Sequence, residues 1–208
     1  AATDLFYANE ATDPDKFTGL SQRYSDPGSS VYGSHMIPGS AGAAQTDCTS
    51  IWLIGWGERG VSGLYPKGTM GGIQRKDWGL QADKDSDGGH ISVFKEHFKW
   101  HFGLRVADWR YVARCHSIDA SAHNATYDTD DLLQNIVKMT HRVPKNRRNV
   151  NWRLYGARSM GEWLHLQSLD KRDGTITQRN VNGEHLTMIG SVPFHTTDAI
   201  GHNEMSLN

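Results

Sequence analysis

The chain has 208 residues, with 22 lysines and arginines against 23 aspartates and glutamates, which gives a formal net charge of -1. This length suits one large domain or two small ones, and the near-zero charge argues against a chain that mainly coats nucleic acid. Two cysteines, Cys48 and Cys115, are too few for a disulfide scaffold and lack metal-ligand spacing, so a reducing compartment is expected.

The first part of the chain, residues 1–48, is predicted to be an irregular N-terminal segment. It contains Asp-Pro and Asp-Pro-Gly turn formers, and residues 29–44 are rich in Gly, Ser and Ala. Such composition is typical of loops, so residues 29–44 are predicted to form a mobile loop.

Residues 49–118 are predicted to be rich in β-structure, beginning with the sequence TSIWLIGWGERGVSGLYPKG at residues 49–68. Residues 51–54 and Trp56 are apolar on both phases of a strand. A strand that is apolar on both faces is covered on both sides by other structure. Its second face is therefore expected to pack against a helix layer or a neighbouring molecule.

The longest strand signal lies between residues 90 and 118. Phe94 and Phe98 share one phase, and Lys95 and Lys99 share the other. After Val106 the apolar and polar phases swap, which requires one extra residue or a sharp bend because strand periodicity is two. A bulge or corner is predicted between residues 103 and 108.

Residues 119–170 are predicted to be a helical region, and residues 171–208 a C-terminal hairpin and return strand. An apolar stripe with charges suited to the helix dipole predicts a helix over residues 128–142. A strand follows at residues 151–155, and Ser159 with Glu162 forms a capping-box pattern that predicts a second helix. Asn182-Gly183 predicts a hairpin between residues 175–181 and 184–189, followed by an extended segment over residues 192–200.

Residues 55–60, GWGERG, match the pattern G-x-G-x-x-G after a strand. A dinucleotide site needs a helix to start there, so that backbone amides hold the pyrophosphate. The next residues, VSGLYP, carry Gly and Pro where a helix would propagate. A Gly-rich hairpin turn is therefore the preferred interpretation.

Three further patterns have weak functional interpretations. Residues 83–88, DKDSDG, copy half of an EF-hand loop, but Phe94 replaces the bidentate glutamate, so a solvated acidic turn is preferred over weak calcium binding. His97 and His101 are four residues apart on a strand, which favours polar-face residues over a metal site. Residues 145–148, KNRR, indicate a solvated loop, with phosphate contact as the alternative. No catalytic, cofactor-binding or metal-binding residue is predicted.

Several stretches together resemble the major capsid proteins of short-tailed bacteriophages, the epsilon-fifteen-like coat proteins. They are DPDKFTGL (13–20), residues 49–68, HFKW (97–100) with Gly103-Leu104, DWRYV (108–112), Ser159 with WLHLQ (163–167), and Gly190, Pro193 and DAI (198–200). Their order is kept over nearly the whole chain, so the resemblance is more specific than any single motif above.

The resemblance implies an α+β fold of the Hong Kong type that tailed-phage capsids share, with a peripheral and an axial domain. Members of this family carry a further N-terminal portion, and this chain is expected to lack the N-terminal arm, the extended loop and the spine helix. The four segments, residues 1–48, 49–118, 119–170 and 171–208, would then form one interleaved capsid fold.

The implied function is that of a non-enzymatic structural subunit of an icosahedral virion shell. Copies of the chain would assemble in the bacterial host cytoplasm into pentamers and hexamers that enclose double-stranded DNA. Scaffolding, portal and decoration proteins are the other expected partners, and packaged DNA would be touched non-specifically. No cofactor is expected, and no membrane contact, because no apolar run approaches the ~20 residues that span a bilayer.

The surfaces between subunits are predicted to alternate aromatic side chains with charged ones, so that apolar burial supplies affinity and charge supplies register. The charged residues proposed for this role are Lys95, Lys99, Arg105, Arg110 and Arg114.

Two alternative functions stay open from the sequence. One is a β-rich, calcium-assisted binding module of a phage tail or fibre, which would use the acidic turn and exposed tryptophans. The other is a nucleotide-dependent enzyme built on residues 55–60.

Overall fold

A computed structural model describes residues 2–41, 45–68, 72–84, 86–120, 130–144, 150–169, 176–181 and 184–207. Over these residues the α-helices are α1 (Ala2–Tyr7), α2 (Leu20–Arg23), α3 (Asp130–Arg142) and α4 (Arg158–Leu169). The strands are β1 (Met36–Pro38), β2 (Cys48–Trp56), β3 (Val61–Leu64), β4 (Gln74–Lys84), β5 (His90–Lys99), β6 (Gly103–Val106), β7 (Val112–Asp119), β8 (Asn151–Gly156), β9 (Ile176–Val181), β10 (Glu184–Ile189) and β11 (Val192–Thr196).

The chain forms two compact units, one of Ala1–Ser62 with Leu104–Asn208 and one of Gly63–Gly103. The first unit holds a mixed sheet with the main strand order β1-β7-β2-β8-β11-β10-β9. β1 is parallel to β7 and β8 is parallel to β11, whereas the other neighbours on this path are antiparallel. Helix α3 packs against β7 and helix α4 against β11. The first unit is mostly sheet with few helices, so it has the α+β class that the sequence predicts.

Strand β2 lies in the middle of this sheet and is covered on both faces, as its apolar run predicts. Ile51, Trp52 and Ile54 have no exposed surface. On one face, the rings of Phe6 and Tyr24 pack against Trp52, with centroids 5.9 and 6.1 Å away. The chain's own N-terminal segment therefore provides this cover, and no neighbouring molecule is needed to bury β2.

The N-terminal segment is more ordered than the sequence predicts. Phe6, Leu20 and Tyr24 are buried in the core of the first unit, and so are Met36 and Ile37 of β1. The prediction of a mobile loop over residues 29–44 is wrong at β1, which adds a parallel edge strand to β7. A strand this short is stabilised by its partner strand, so local sequence preference does not reveal it.

The predicted corner before β7 is confirmed. β6 ends at Val106, a single 3₁₀ turn spans Trp109–Tyr111, and β7 starts at Val112. The Asp108 carboxylate accepts a hydrogen bond from the Arg110 backbone amide at 3.0 Å and so caps the turn. The sequence did not predict a second break, at residues 100–102, which separates β5 from β6.

The C-terminal half follows the predicted order of elements. α3 and the antiparallel β9–β10 pair are confirmed over the described residues, whereas Asn182-Gly183 lies outside them. The capping-box prediction is wrong, because α4 begins at Arg158 and Ser159 is already helical. Its hydroxyl lies 3.3 Å from His202 Nε2 instead. Over the described residues, no helix combines the length and apolar character needed to span a membrane.

Gly161 sets how closely α4 approaches β11. A Cβ atom at this position would lie well inside van der Waals contact with Thr196 Cγ2. We expect Gly161→Ala to lower the free energy of unfolding by about 1–3 kcal/mol, the usual cost of overpacking, despite the better helix propensity of alanine. Urea denaturation measures this loss. Thr196→Ala alone should change the free energy of unfolding little because Thr196 is exposed. Combined with Gly161→Ala, it should recover most of the lost stability. An equal loss in the single and double variants would contradict this account.

Candidate functional site

The second unit contains a long hairpin that exposes large apolar side chains on one of its two faces. β4 and β5 pair with each other in a separate antiparallel sheet. Side chains of directly paired residues lie on the same face, and the face alternates along each strand. Leu80 pairs with Phe94, and Phe98 lies four residues further along β5, so these three share one face. We call them the apolar hairpin face.

The apolar hairpin face is open to solvent. Leu80 is 62% exposed, Phe94 83% and Phe98 61%. Beside them on the same face, the Arg75 guanidinium makes a two-point ion pair with Glu96, in which Nε lies 2.9 Å from Oε2. The other charges of this face, Asp77 and Lys84, are opposite in sign, so the face carries no net charge of its own.

The opposite face of the hairpin exposes two large apolar side chains, Trp78 and Ile91. A bulge between Asp77 and Gly79, where Gly79 has a φ of +67°, turns the Trp78 ring onto His97, with ring centroids 5.5 Å apart and planes 9° from parallel. The Lys95 ammonium lies 2.7 Å from the Asp83 carboxylate, and this contact lowers the pKa of Asp83. Soluble proteins seldom expose large contiguous apolar patches except where they bind, so the apolar hairpin face is the candidate interaction surface.

A buried polar cluster in the first unit joins its distant segments. Arg114 Nη2 lies 3.1 Å from Glu204 Oε2, and both side chains are more than nine-tenths buried. Arg114 also donates from Nε to the Ser50 hydroxyl at 3.1 Å and from Nη1 to the Tyr24 carbonyl at 2.6 Å. The Tyr7 hydroxyl donates to the other oxygen of Glu204, and burial together with this carboxylate raises the pKa of Tyr7.

An irregularity between β2 and β7 makes room for this cluster. Their register shifts between Thr49 and Ile51, and Ser117 opposite has a left-handed φ of 56°. The Ser117 hydroxyl accepts a hydrogen bond from the Leu207 amide at 2.8 Å. The cluster and this bulge therefore hold the N-terminal helix and the C-terminal segment against the same two central strands.

The charged residues that were predicted to lie between subunits differ in their burial and in their partners. The prediction that Arg114 lies between subunits is wrong. Its side chain is buried within the chain and paired with Glu204, so it does not reach a subunit surface. Arg110 is exposed and paired with Asp108 at 2.7 Å, and Arg105 donates to the Glu58 carbonyl at 3.1 Å. Lys99 is exposed at the end of β5. No sequence pattern indicates Glu204 as the partner of Arg114, because the two residues are 90 positions apart.

The remaining sequence motifs do not converge on a site. After β2 the segment at residues 57–60 is a turn, in which the Gly60 amide donates to the Gly57 carbonyl at 3.2 Å, and β3 follows in place of a helix. The predicted hairpin is wrong, because β3 pairs with β2 in parallel. Asp83 is held by Lys95, while Asp85 lies outside the described residues, as do residues 145–148. Within the described part of the chain, no three potential metal ligands cluster.

Buried His116 makes stability depend on pH. Its Nδ1 lies 2.9 Å from the Ser117 hydroxyl, and burial lowers its pKa from 6.5 to about 4, with a smaller contribution from Arg114. His116 therefore binds a proton more readily in the unfolded chain than in the folded one. Its contribution to the free energy of unfolding is complete above about pH 6.5 and falls as pH drops toward 4. The loss is roughly 3 kcal/mol.

Urea midpoints measured between pH 7.5 and 4.5 test this expectation. His116→Gln should show a flatter pH profile, although some slope should remain because burial also lowers the pKa of His35. Parallel profiles for the two proteins would contradict the assignment to His116.

The fold resembles a bacteriophage structure. A chain in the near-atomic cryo-EM structure of bacteriophage Epsilon15 matches with a TM-score of 0.63 and 24% sequence identity, over 99% of this chain and 62% of that chain. This chain thus spans less than two thirds of the length of the chain that it matches. The match shows that the two chains share a fold, as the resemblance in the sequence implies.

A family model described as Major capsid protein GP7 matches residues 1–208. The chain belongs to this family of bacteriophage major capsid proteins and is therefore a structural component of the virion. None of the curated proteins compared with the chain matches it.

Proposed function

We propose that copies of this chain associate, through surfaces that include the apolar hairpin face, into the pentamers and hexamers of an icosahedral shell around double-stranded DNA. The observation that carries this proposal is the exposure of Leu80, Phe94 and Phe98 on one face of a hairpin. Association with other copies would bury this surface, and the closed symmetry of a shell keeps the number of contacts finite.

The charge of the chain supports dense packing of many copies. A formal net charge of -1 gives little repulsion between neighbours, whereas a strongly charged subunit would resist close tiling. The proposed role is structural and not enzymatic, which the match of the chain to a family of major capsid proteins supports.

Further roles follow from this proposal. The shell would assemble in the bacterial host cytoplasm together with scaffolding, portal and decoration proteins. Contact with the packaged DNA would be non-specific, and so would weaken steeply with salt.

Sedimentation velocity and negative-stain microscopy of the purified chain test the proposal. Rings or shells at high protein concentration are the expected result, with a sedimentation coefficient far above that of a 23.2 kDa monomer. Monomers alone, across protein concentrations and salt conditions, would overturn it.

A further inference from the structure

The exposed apolar side chains are unevenly distributed between the two units. Over the described residues, most large exposed hydrophobic side chains belong to the second unit: Leu64, Tyr65, Ile73, Trp78, Leu80, Ile91, Phe94, Phe98 and Trp100. The first unit has Val31, Leu166 and Met205, which lie in three different segments. Among the described residues, the part of a second copy that is richest in exposed apolar side chains is therefore its own second unit, which contains the hairpin.

The charges of the second unit permit two copies to meet. Residues 63–103 carry six lysines and arginines and five aspartates and glutamates. On the apolar hairpin face, Arg75 and Glu96 are already paired within the chain. The other two charges of this face, Asp77 and Lys84, are opposite in sign, so two such faces would meet with little net electrostatic repulsion.

We propose that the apolar hairpin face packs against the same face of a second copy of this chain. This inference rests on the proposed function, because it names one contact through which the shell would hold together. The contact is isologous: each copy contributes the same residues, related by a two-fold axis. Phe94, the most exposed of the three, would be buried against apolar side chains of the other hairpin.

The size of the hairpin limits how strong one such contact is. A strand of ten residues is about 35 Å long at ~3.4 Å per residue, so two strands present a face of roughly 350 Å². This is less than half of the ~800 Å² per partner that a stable interface of standard size buries. A single pair of hairpins is therefore weak, and the contact gains strength where a shell supplies many of them at once.

Photo-crosslinking from two neighbouring positions of β4 tests the arrangement. Ala82 lies on the same face as Leu80, whereas Gln81 lies on the opposite one, and both are exposed. Ala82→Cys and Gln81→Cys, each labelled with a benzophenone maleimide, form a matched pair. The label should react with the new thiol, because Cys48 and Cys115 are buried and burial raises the pKa of both thiols.

The expected result in assembled particles is a crosslinked dimer from Ala82→Cys at several-fold the yield from Gln81→Cys. Mass spectrometry should place the link in residues 74–99 of the second copy. Equal yields from the two variants, or a link from Ala82→Cys into residues 104–207, would overturn the pairing.

Particle formation is scored separately by negative-stain microscopy. If the labelled chain gives the hairpin-linked dimer at high concentration but never forms particles, the shell is contradicted and the pairing stands. If particles form and the hairpins do not link, the pairing is contradicted and the shell stands.

Discussion

Replacing Leu80, Phe94 and Phe98 together with serine is expected to abolish particle formation while leaving the subunit folded. Fully burying one such side chain stabilises an interface by about 1.5–3 kcal/mol, so removing three of them eliminates several kcal/mol from each contact. In the proposed shell the contact would be repeated many times, so the loss would be multiplied across the assembly. The three side chains are exposed, and they lie outside the unit that contains the main sheet.

A control on the other face of the same hairpin separates assembly from folding. Ile91→Ser with Val93→Ser removes apolar side chains of β5 that, with their partners Asp83 and Gln81, lie on the opposite face. We expect this variant to form particles, and both variants to keep the circular dichroism spectrum and thermal midpoint of the parent chain. Particles from the triple variant, or equal loss in both variants, would contradict the role of the apolar hairpin face.

Sequence patterns predicted the elements whose stability is local. The apolar run of β2, the apolar stripe of α3 and the phase change before β7 each use only neighbouring residues, and each is present in the structure. The alternation of Phe94 and Phe98 with Lys95 and Lys99 likewise gives the two faces of β5. Periodicity determines which side chains share a face, and those predictions hold because nothing distant overrides them.

Periodicity did not reveal which face would be covered, or by what. The second face of the strand that contains Trp52 was expected to pack against a helix layer or a neighbouring molecule. Trp52 is fully buried by its own chain, whereas Trp100 is 43% exposed. The difference depends on Phe6 and Tyr24, which come from a segment with no strong pattern of its own.

The same reasoning explains why the polar cluster was not predicted. Arg114 alternates with apolar neighbours along β7, which is the pattern of a side chain that faces solvent. It is instead buried because Glu204, Ser50 and the Tyr24 carbonyl satisfy its donors. These partners are 64 to 90 residues away in the sequence, so the pairing exists only after the chain has folded.

Arg114→Met is expected to lower the free energy of unfolding by about 3–5 kcal/mol. The substitution keeps a long apolar side chain over Trp52, where the guanidinium now lies 4.9 Å from the ring centroid, but leaves the Glu204 carboxylate buried without a positive partner. Removing one member of a buried ion pair costs this much because the remaining charge stays in a poorly solvated site. Since whole domains are stable by about 5–15 kcal/mol, the effect is a large part of the total.

Urea unfolding monitored by tryptophan fluorescence measures the loss, and the exposed Arg158–Asp198 pair provides the control. Its side chains are 78% and 74% exposed, so Arg158→Met should cost less than ~1 kcal/mol. Arg114→Met combined with Glu204→Met should be more stable than Arg114→Met alone, because the double variant removes the uncompensated charge. If Arg114→Met lowered the free energy of unfolding no more than Arg158→Met, the buried charge would not explain the loss. The buried charge would also fail to explain the loss if Glu204→Met added its own full penalty in the double variant. Packing around Trp52 would then account for the loss.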